Sequence, residues 1–175
     1  MDRTALPAET LASRADFLAA LRRVPEPVTV VASLGSAGPG AVTVSAFSSV
    51  SADPPTVLIC LQSQGSAAHA VIRNGHFTVN FLSERDRALA EICAGHGSAD
   101  HAARLADPGW QMTADGLPQW GRAIAVLVCR LHETVEIGSH RVLIARVTAA
   151  GPGSGESPLL YQGRAYHRLG DDVEG

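Results

Sequence analysis

The chain has 175 residues, 46% hydrophobic and 18% charged, and a net charge of −3 with 14 basic residues, all of them arginine. This composition favours a globular domain with a buried core, and it excludes a lysine Schiff base and a lysine-containing phosphate loop. Scattered arginines offer no basic face for nucleic acid, and no apolar run reaches the roughly 18 residues of a membrane helix.

The N-terminal end is polar and lacks the apolar core of a secretory leader, so we expect a cytoplasmic protein without a membrane partner. Residues 1–15 are expected to be a flexible leader, 16–170 one domain, and 171–175 a tail. Apolar residues at helical spacing nevertheless predict an amphipathic helix over 10–23, which Pro25 ends.

Strands and a few short helices follow in irregular order. The predicted elements are strands at 28–34 and 41–48 joined as a hairpin, a strand at 56–61, a helix at 66–74, a strand at 77–82, a helix at 83–94 capped by Ser83, a mixed loop at 95–120, strands at 123–135 and 141–149, and a final hairpin at 158–161 and 165–169. About seven strands without a βαβ rhythm predict a mainly β fold, an antiparallel barrel with peripheral helices. No G-x-G-x-x-G joins a strand to a helix, which argues against a Rossmann domain.

Neither a metal centre nor a nucleophilic serine is expected. The three cysteines are far apart and lie among apolar residues, which predicts free buried thiols rather than disulfides or a zinc knot. Cys93, His96, Asp100 and His101 are close in sequence, but their spacing fits no zinc motif and predicts a solvated loop with incidental histidines. No G-x-S-x-G elbow is present.

The segment TVSAFSSVSADPP (43–55) combines four serines and one threonine with a lone aromatic, Phe47. Small hydroxyl residues leave backbone N–H and C=O groups open to a flat ligand such as an isoalloxazine ring, against which Phe47 would pack. The alternative is a polar edge strand without a ligand.

A second ligand signal precedes the helix at 66–74, where Gln62, Ser63, Gln64 and Ser66 supply polar groups. A helix N-terminus presents free N–H groups and a positive dipole potential, so this stretch predicts an anion-binding site that needs no lysine. The alternative, that Ser66 is an ordinary N-cap, is compatible with the first.

Four sequence pieces resemble the short-chain flavin reductase family, the NAD(P)H-dependent reductases of two-component flavin monooxygenases. They are TVSAFSSVSADPPTVLICL (43–61), SAAHAVI with FTVNFL (66–82), VEIGSHRVLIARV (135–147) and PLLYQGRAYHRL (158–169). The resemblance covers roughly residues 16–169. It implies an FMN-binding split β-barrel that takes FAD or FMN as an exchangeable ligand, in a homodimer with the site near the subunit interface.

The resemblance also implies the residues that bind the cofactor. They are Thr43, Val44, Ser45, Ala46, Phe47, Ser48 and Ser51 along the flavin ring, Gln62, Ser63, Gln64 and Ser66 at its phosphate, His140 beside the flavin and nicotinamide rings as the catalytic residue, and Tyr166 as a late aromatic. Three positions depart from the family pattern. Ala68 replaces a threonine of S-x-T, Ser139 replaces the aspartate of G-D-H, and Pro25-Glu26-Pro27-Val28 replaces P-x-G-V.

The function implied is transfer of hydride from NADH or NADPH to FAD or FMN, with release of the reduced flavin to a partner monooxygenase. Two alternatives remain open: a flavin-binding carrier without catalysis, and a tightly flavinated oxidase of related fold.

Overall fold

Strands dominate the structure, a computed structural model that describes residues 11–96 and 100–170. Its helices are α1 (Arg14–Leu21), α2 (Ser66–Asn74), α3 (Arg87–Cys93) and α4 (His101–Arg104). Its strands are β1 (Glu26–Pro27), β2 (Thr29–Ser33), β3 (Gly40–Val44), β4 (Phe47–Ala52), β5 (Pro55–Gln62), β6 (His76–Phe81), β7 (Trp110–Met112), β8 (Pro118–Trp120), β9 (Ala125–Ile137), β10 (His140–Pro152), β11 (Leu159–Gln162) and β12 (Ala165–Arg168). None of these helices has the length and apolar character needed to cross a bilayer.

A seven-stranded antiparallel sheet in the order β3-β2-β6-β9-β10-β5-β4 forms the body of the molecule. Its two edge strands, β3 and β4, are consecutive along the chain and are separated only by Ser45 and Ala46. A two-residue link can join opposite edges only if the sheet curls until those edges meet, which makes a barrel. The predicted mainly β, antiparallel class is confirmed.

The barrel encloses one apolar cluster, and a second lies under α3 and the β11–β12 hairpin. Val31, Ile59, Phe77, Val79 and Leu143 are fully buried in the first cluster. Burial of such side chains stabilises the fold by about 1.5–3 kcal/mol each.

The predicted strand at 41–48 is wrong beyond Val44. The chain breaks at Ser45 and Ala46, and Phe47 then begins β4, which pairs with β5 and not with β2. The break turns the Phe47 ring inward, where its centroid lies 4.8 Å from that of Phe81 in an edge-to-face contact.

Ser83 is not the cap that the sequence predicts, because α3 starts at Arg87 with Asp86 at the N-cap position. The Asp86 carboxylate is buried and accepts hydrogen bonds from the Ser83 N–H and hydroxyl, the Trp120 indole N–H and the Arg122 guanidinium. A buried carboxylate is stable only when such donors surround it. The network attaches the start of α3 to β8 and to Arg122, just after it.

The N-terminal helix is shorter than predicted and is not amphipathic in its packing, since α1 buries no residue and Phe17 is 56% exposed. Its C-terminal end contacts the β11–β12 hairpin, where the Gly163 N–H donates to the Arg22 carbonyl at 3.0 Å. Residues 1–10 of the expected leader and the whole expected tail lie outside the described residues.

Candidate functional site

A cavity of about 670 Å³ opens between the β3–β4 junction, the ends of β5 and β10, α2, α3 and the β11–β12 hairpin. Its volume falls within the roughly 300–1,000 Å³ typical of small-molecule sites. Of the predicted site residues, seven line this cavity: Thr43, Val44, Ser45, Ala46, Gln62, His140 and Tyr166.

The floor of the cavity is the β3–β4 junction. The backbone carbonyls of Ser45 and Ala46 accept hydrogen bonds from the Phe47 and Cys60 N–H groups, at 2.8 and 3.0 Å. The Thr43 hydroxyl is used structurally, since it donates to the Ala90 carbonyl of α3 at 2.7 Å. Because Ser45 and Ala46 carry small side chains, a ligand in the cavity can approach their main chain closely.

The remaining predicted ring contacts do not line the cavity. Phe47 is half-buried and packs on Phe81 at the edge of the core, Ser48 is exposed on β4, and the Ser51 hydroxyl donates to the Asp53 carbonyl at 2.9 Å. The structure therefore places residues 43–46 of the hydroxyl-rich segment in the cavity wall and residues 47–55 outside it.

One rim of the cavity carries His140 and Gln62, which are register partners across β10 and β5. The Ser139 hydroxyl lies 2.9 Å from His140 Nδ1. A serine at the family's aspartate position therefore still contacts the histidine, although a hydroxyl replaces a carboxylate and the local negative charge is gone.

The N-terminus of α2 lies at the same cavity, which Gly65 and Ala68 line. Gly65 is the N-cap and Ser66 the first helical residue, so the alternative that Ser66 is an ordinary N-cap is wrong. Ser63 is 4% exposed, and its hydroxyl oxygen has no hydrogen-bond partner among the described residues. Gln64 and Ser66 are exposed, and of the four residues predicted at the phosphate only Gln62 lines the cavity, so Ser63, Gln64 and Ser66 do not.

The opposite wall is aromatic and basic. The rings of Tyr161 and Tyr166 meet edge-to-face at 5.3 Å, and the Arg87 guanidinium lies over the Tyr166 ring at 5.5 Å. Burial, with the negative charge of Glu91, raises the pKa of Tyr166, so its phenol stays neutral. Sequence reasoning missed Arg87, Glu91 and Arg164 on this wall, since nothing local places α3 beside the final hairpin.

The histidines set aside as incidental have defined places. His96 lines the cavity, and His101 Nε2 lies 2.7 Å from the Ser66 hydroxyl. Burial raises the pKa of the Cys93 thiol to about 11. Within residues 11–96 and 100–170, no group of His, Cys, Asp and Glu is suited to hold a metal ion. Residues 97–99, between His96 and Asp100, are not among those that the structure describes.

These residues fit a flavin nucleotide. Small side chains expose the main chain on the floor, and aromatic rings form one wall. At one end the cavity reaches a helix N-terminus, next to which Ser63 keeps a buried hydroxyl without a partner. Such an unpaired buried oxygen is rare in proteins and is relieved when a ligand supplies the missing hydrogen bond. All three cysteines are free, as predicted, although Cys60 is only half-buried and lines the cavity.

The family described as flavin reductase like domain matches residues 21–170. An FMN reductase (NADH) RutF of Ancylobacter novellus is 37% identical over 163 residues, 93% of this chain and 89% of the relative. A 4-nitrophenol monooxygenase reductase component of Rhodococcus opacus is 35% identical, covering 88% and 80%. The solved NADH:FAD oxidoreductase SgcE6 of Streptomyces globisporus, in complex with NAD and FAD fragments, superposes with a TM-score of 0.83 at 26% identity, covering 95% and 100%.

The family match spans most of the chain, and the resemblance of the four sequence pieces is confirmed. The chain therefore belongs to the flavin reductase family.

Proposed function

We propose that this protein is an NADH-dependent flavin reductase that takes FMN or FAD as an exchangeable ligand and delivers the reduced flavin to a flavin-dependent monooxygenase. The observation that carries the proposal is the shared cavity, which joins the open main chain at Ser45 and Ala46, the start of α2 and the rim histidine His140. The names of the relatives from Ancylobacter novellus and Rhodococcus opacus favour NADH, FMN and a monooxygenase partner.

Bound flavin supplies the redox chemistry by accepting hydride from the reduced nicotinamide. The chain would bind and orient the two nucleotides, with the main chain of Ser45 and Ala46 along the flavin ring and Tyr166 on the opposite wall of the cavity. The N-terminus of α2, with Ser63 beside it, would hold the phosphate through N–H groups and the helix dipole. His140 positions the nicotinamide, and Ser139 orients its imidazole.

We also infer a homodimer and a cytoplasmic location. Apolar side chains that are more than half exposed, among them Phe17, Val50 and Ile137, support coverage by a second copy. Three free thiols suit a reducing compartment. Light scattering during size-exclusion chromatography tests the dimer, and a monomer at micromolar concentration would refute it.

One assay separates the three candidate classes. The loss of reduced-nicotinamide absorbance is followed with NADH or NADPH, each with FMN, FAD or no flavin. A reductase oxidises NADH only when flavin is added. A carrier binds flavin without oxidising nicotinamide, and a tightly flavinated oxidase keeps stoichiometric flavin through dialysis and needs no partner. Either of the last two results would overturn the proposal.

A further inference from the structure

His101 connects three elements beside the cavity, and the proposed reaction does not use it. Its Nε2 lies 2.7 Å from the hydroxyl of Ser66, the first residue of α2. Its Nδ1 lies 3.1 Å from the Ala41 carbonyl oxygen of β3 and 3.4 Å from the Ala41 N–H nitrogen. Both ring nitrogens therefore have partners, and one of these partners, Ser66, belongs to the proposed phosphate-binding site.

The neighbours of Nδ1 decide which ring nitrogen carries the proton. Arg104 Nη1 lies 3.4 Å from Nδ1 and donates to the Ala41 carbonyl at 2.9 Å. Because a guanidinium is always a cationic donor, a proton on Nδ1 would face it at close range. Nδ1 thus faces two donors, Arg104 Nη1 and the Ala41 N–H, and one acceptor, the Ala41 carbonyl at 3.1 Å, to which Arg104 already donates. From this balance we infer that Nδ1 accepts and that Nε2 carries the proton, which it donates to the Ser66 oxygen.

A serine oxygen that accepts from His101 keeps its own O–H free to donate elsewhere. Burial and the charge of Arg104 lower the pKa of His101, so the imidazole is neutral at neutral pH and its single N–H is committed to this contact. A second observation concerns the segment just before α2: three residues before Ser66, the buried Ser63 hydroxyl has no partner among the described residues, and a ligand can satisfy such a group.

We propose that His101 is a positioning residue that orients the Ser66 hydroxyl to donate to the terminal phosphate of a bound flavin at the start of α2. The inference rests on the proposed flavin-binding function. It assigns a role to a residue 35 positions along the chain from Ser66, in a segment that sequence patterns predict to be an incidental loop.

The test compares binding of FMN with that of riboflavin, which has the same ring and no phosphate. Fluorescence titrations give Kd for the wild type, His101→Ala, Ser66→Ala and the double variant. We expect His101→Ala to weaken FMN about tenfold, as for a lost hydrogen bond to a charged group, and riboflavin less than twofold. Because His101 acts through Ser66, the double variant should lose no more FMN affinity than Ser66→Ala alone.

Two further variants separate positioning from a purely structural role. His101→Gln keeps an N–H donor near the Nε2 position and should restore most of the FMN affinity. The matched control His132→Ala, at an exposed histidine on β9, should change neither ligand. If His101→Ala fails to fold, Ser66→Ala and His101→Gln carry the test, with a selective FMN loss expected for the first and near wild-type binding for the second.

Each failure has its own signature. If the wild type binds neither FMN nor riboflavin, the proposed function is wrong. If the wild type binds FMN and riboflavin equally well, flavin binding is supported and the phosphate-binding site at the start of α2 is refuted. The positioning role is refuted if His101→Ala lowers the affinities for FMN and riboflavin alike, or lowers neither. It is also refuted if the loss of FMN affinity in His101→Ala adds fully to that in Ser66→Ala.

Discussion

At the scale of single residues, His140 and its neighbour Ser139 show how the site keeps a contact while changing a charge. The hydroxyl of Ser139 reaches His140 Nδ1 at 2.9 Å, so the imidazole is oriented without a carboxylate beside it. A hydrogen bond to one ring nitrogen can set the orientation and the tautomer of an imidazole. Where the family pattern that the sequence resembles has an aspartate, this chain therefore keeps a hydrogen-bond contact to His140 and loses a charge.

Replacing His140 should affect turnover more than flavin binding. We expect His140→Ala to lower kcat for NADH oxidation about tenfold, or about 1.4 kcal/mol of transition-state stabilisation, because the residue positions the nicotinamide and not the flavin. Steady-state rates and FMN titrations of the same preparation measure both quantities. An equal loss in FMN affinity would contradict the assignment, and His132→Ala is the matched control.

Cys60 offers a readout of cavity occupancy that does not need catalysis. It lines the cavity and is half-buried, whereas Cys93 and Cys129 are buried. We expect N-ethylmaleimide to modify Cys60 before the other two thiols. The reaction should be slow, because burial raises the pKa of the Cys60 thiol, and bound FMN should slow it further. Mass spectrometry of the peptides gives the order. Equal rates with and without FMN would show that the flavin binds elsewhere.

At the scale of elements, the β11–β12 hairpin stands out because its two-residue turn has positive φ at both positions, 58° at Gly163 and 68° at Arg164. Such a turn suits glycine, and a side chain in this region costs about 1–2 kcal/mol. Arg164 nevertheless lines the cavity. Strain of this kind is tolerated where a side chain serves binding.

Arg164→Gly should therefore raise stability while weakening nucleotide binding. We expect the free energy of unfolding to increase by about 0.5–1 kcal/mol, because relief of backbone strain is partly offset by the flexibility of glycine in the unfolded chain. Urea denaturation measures it, and the KM for NADH should rise. The control Gly163→Ala places a side chain at φ 58° and should lower stability. A less stable Arg164→Gly variant would refute the strain.

At the scale of the whole molecule, the sheet closes because its edge strands are sequence neighbours. Its closure buries Cys129, whereas Cys93 is buried in the second cluster, under α3. Burial raises the pKa of Cys129 to about 12 and that of Cys93 to about 11, against 9.0 for an exposed thiol. We propose that residues 16–170 form this folded unit, which the family match over 21–170 supports.

Stability should fall in alkaline solution because of these two thiols. Above pH 9.0 the unfolded chain loses both protons, while the folded chain keeps them until about pH 11 and 12. Their contribution is therefore fully present below pH 9.0 and lost as the pH rises, at about 1.4 kcal/mol per pH unit for each thiol. Urea denaturation at a series of pH values measures the slope. The variant with Cys93→Ala and Cys129→Ala should show a flatter slope, and an unchanged slope would exclude the thiols as its cause.

Sequence alone was sufficient for the elements whose signals are local. The alanine-rich helix α2 is found where Ser66–Asn74 predicts it, and β5 extends the predicted strand by a residue at each end. The mainly β class, the family and the residues of the cavity floor also follow from patterns within short windows. Helical and strand propensities act between neighbours, so they can be recognised without knowing the rest of the chain.

Only the tertiary structure decided how distant segments meet. The break at Ser45 and Ala46 exists because the curled sheet must join its two edges there, and it places Phe47 against the core and outside the cavity. The contact of His101 with Ser66 and the placement of Arg164 in the cavity wall depend in the same way on the path of the intervening chain. A hydrogen bond between residues 35 positions apart leaves no periodic trace in sequence, because its geometry is set by how whole strands and helices pack.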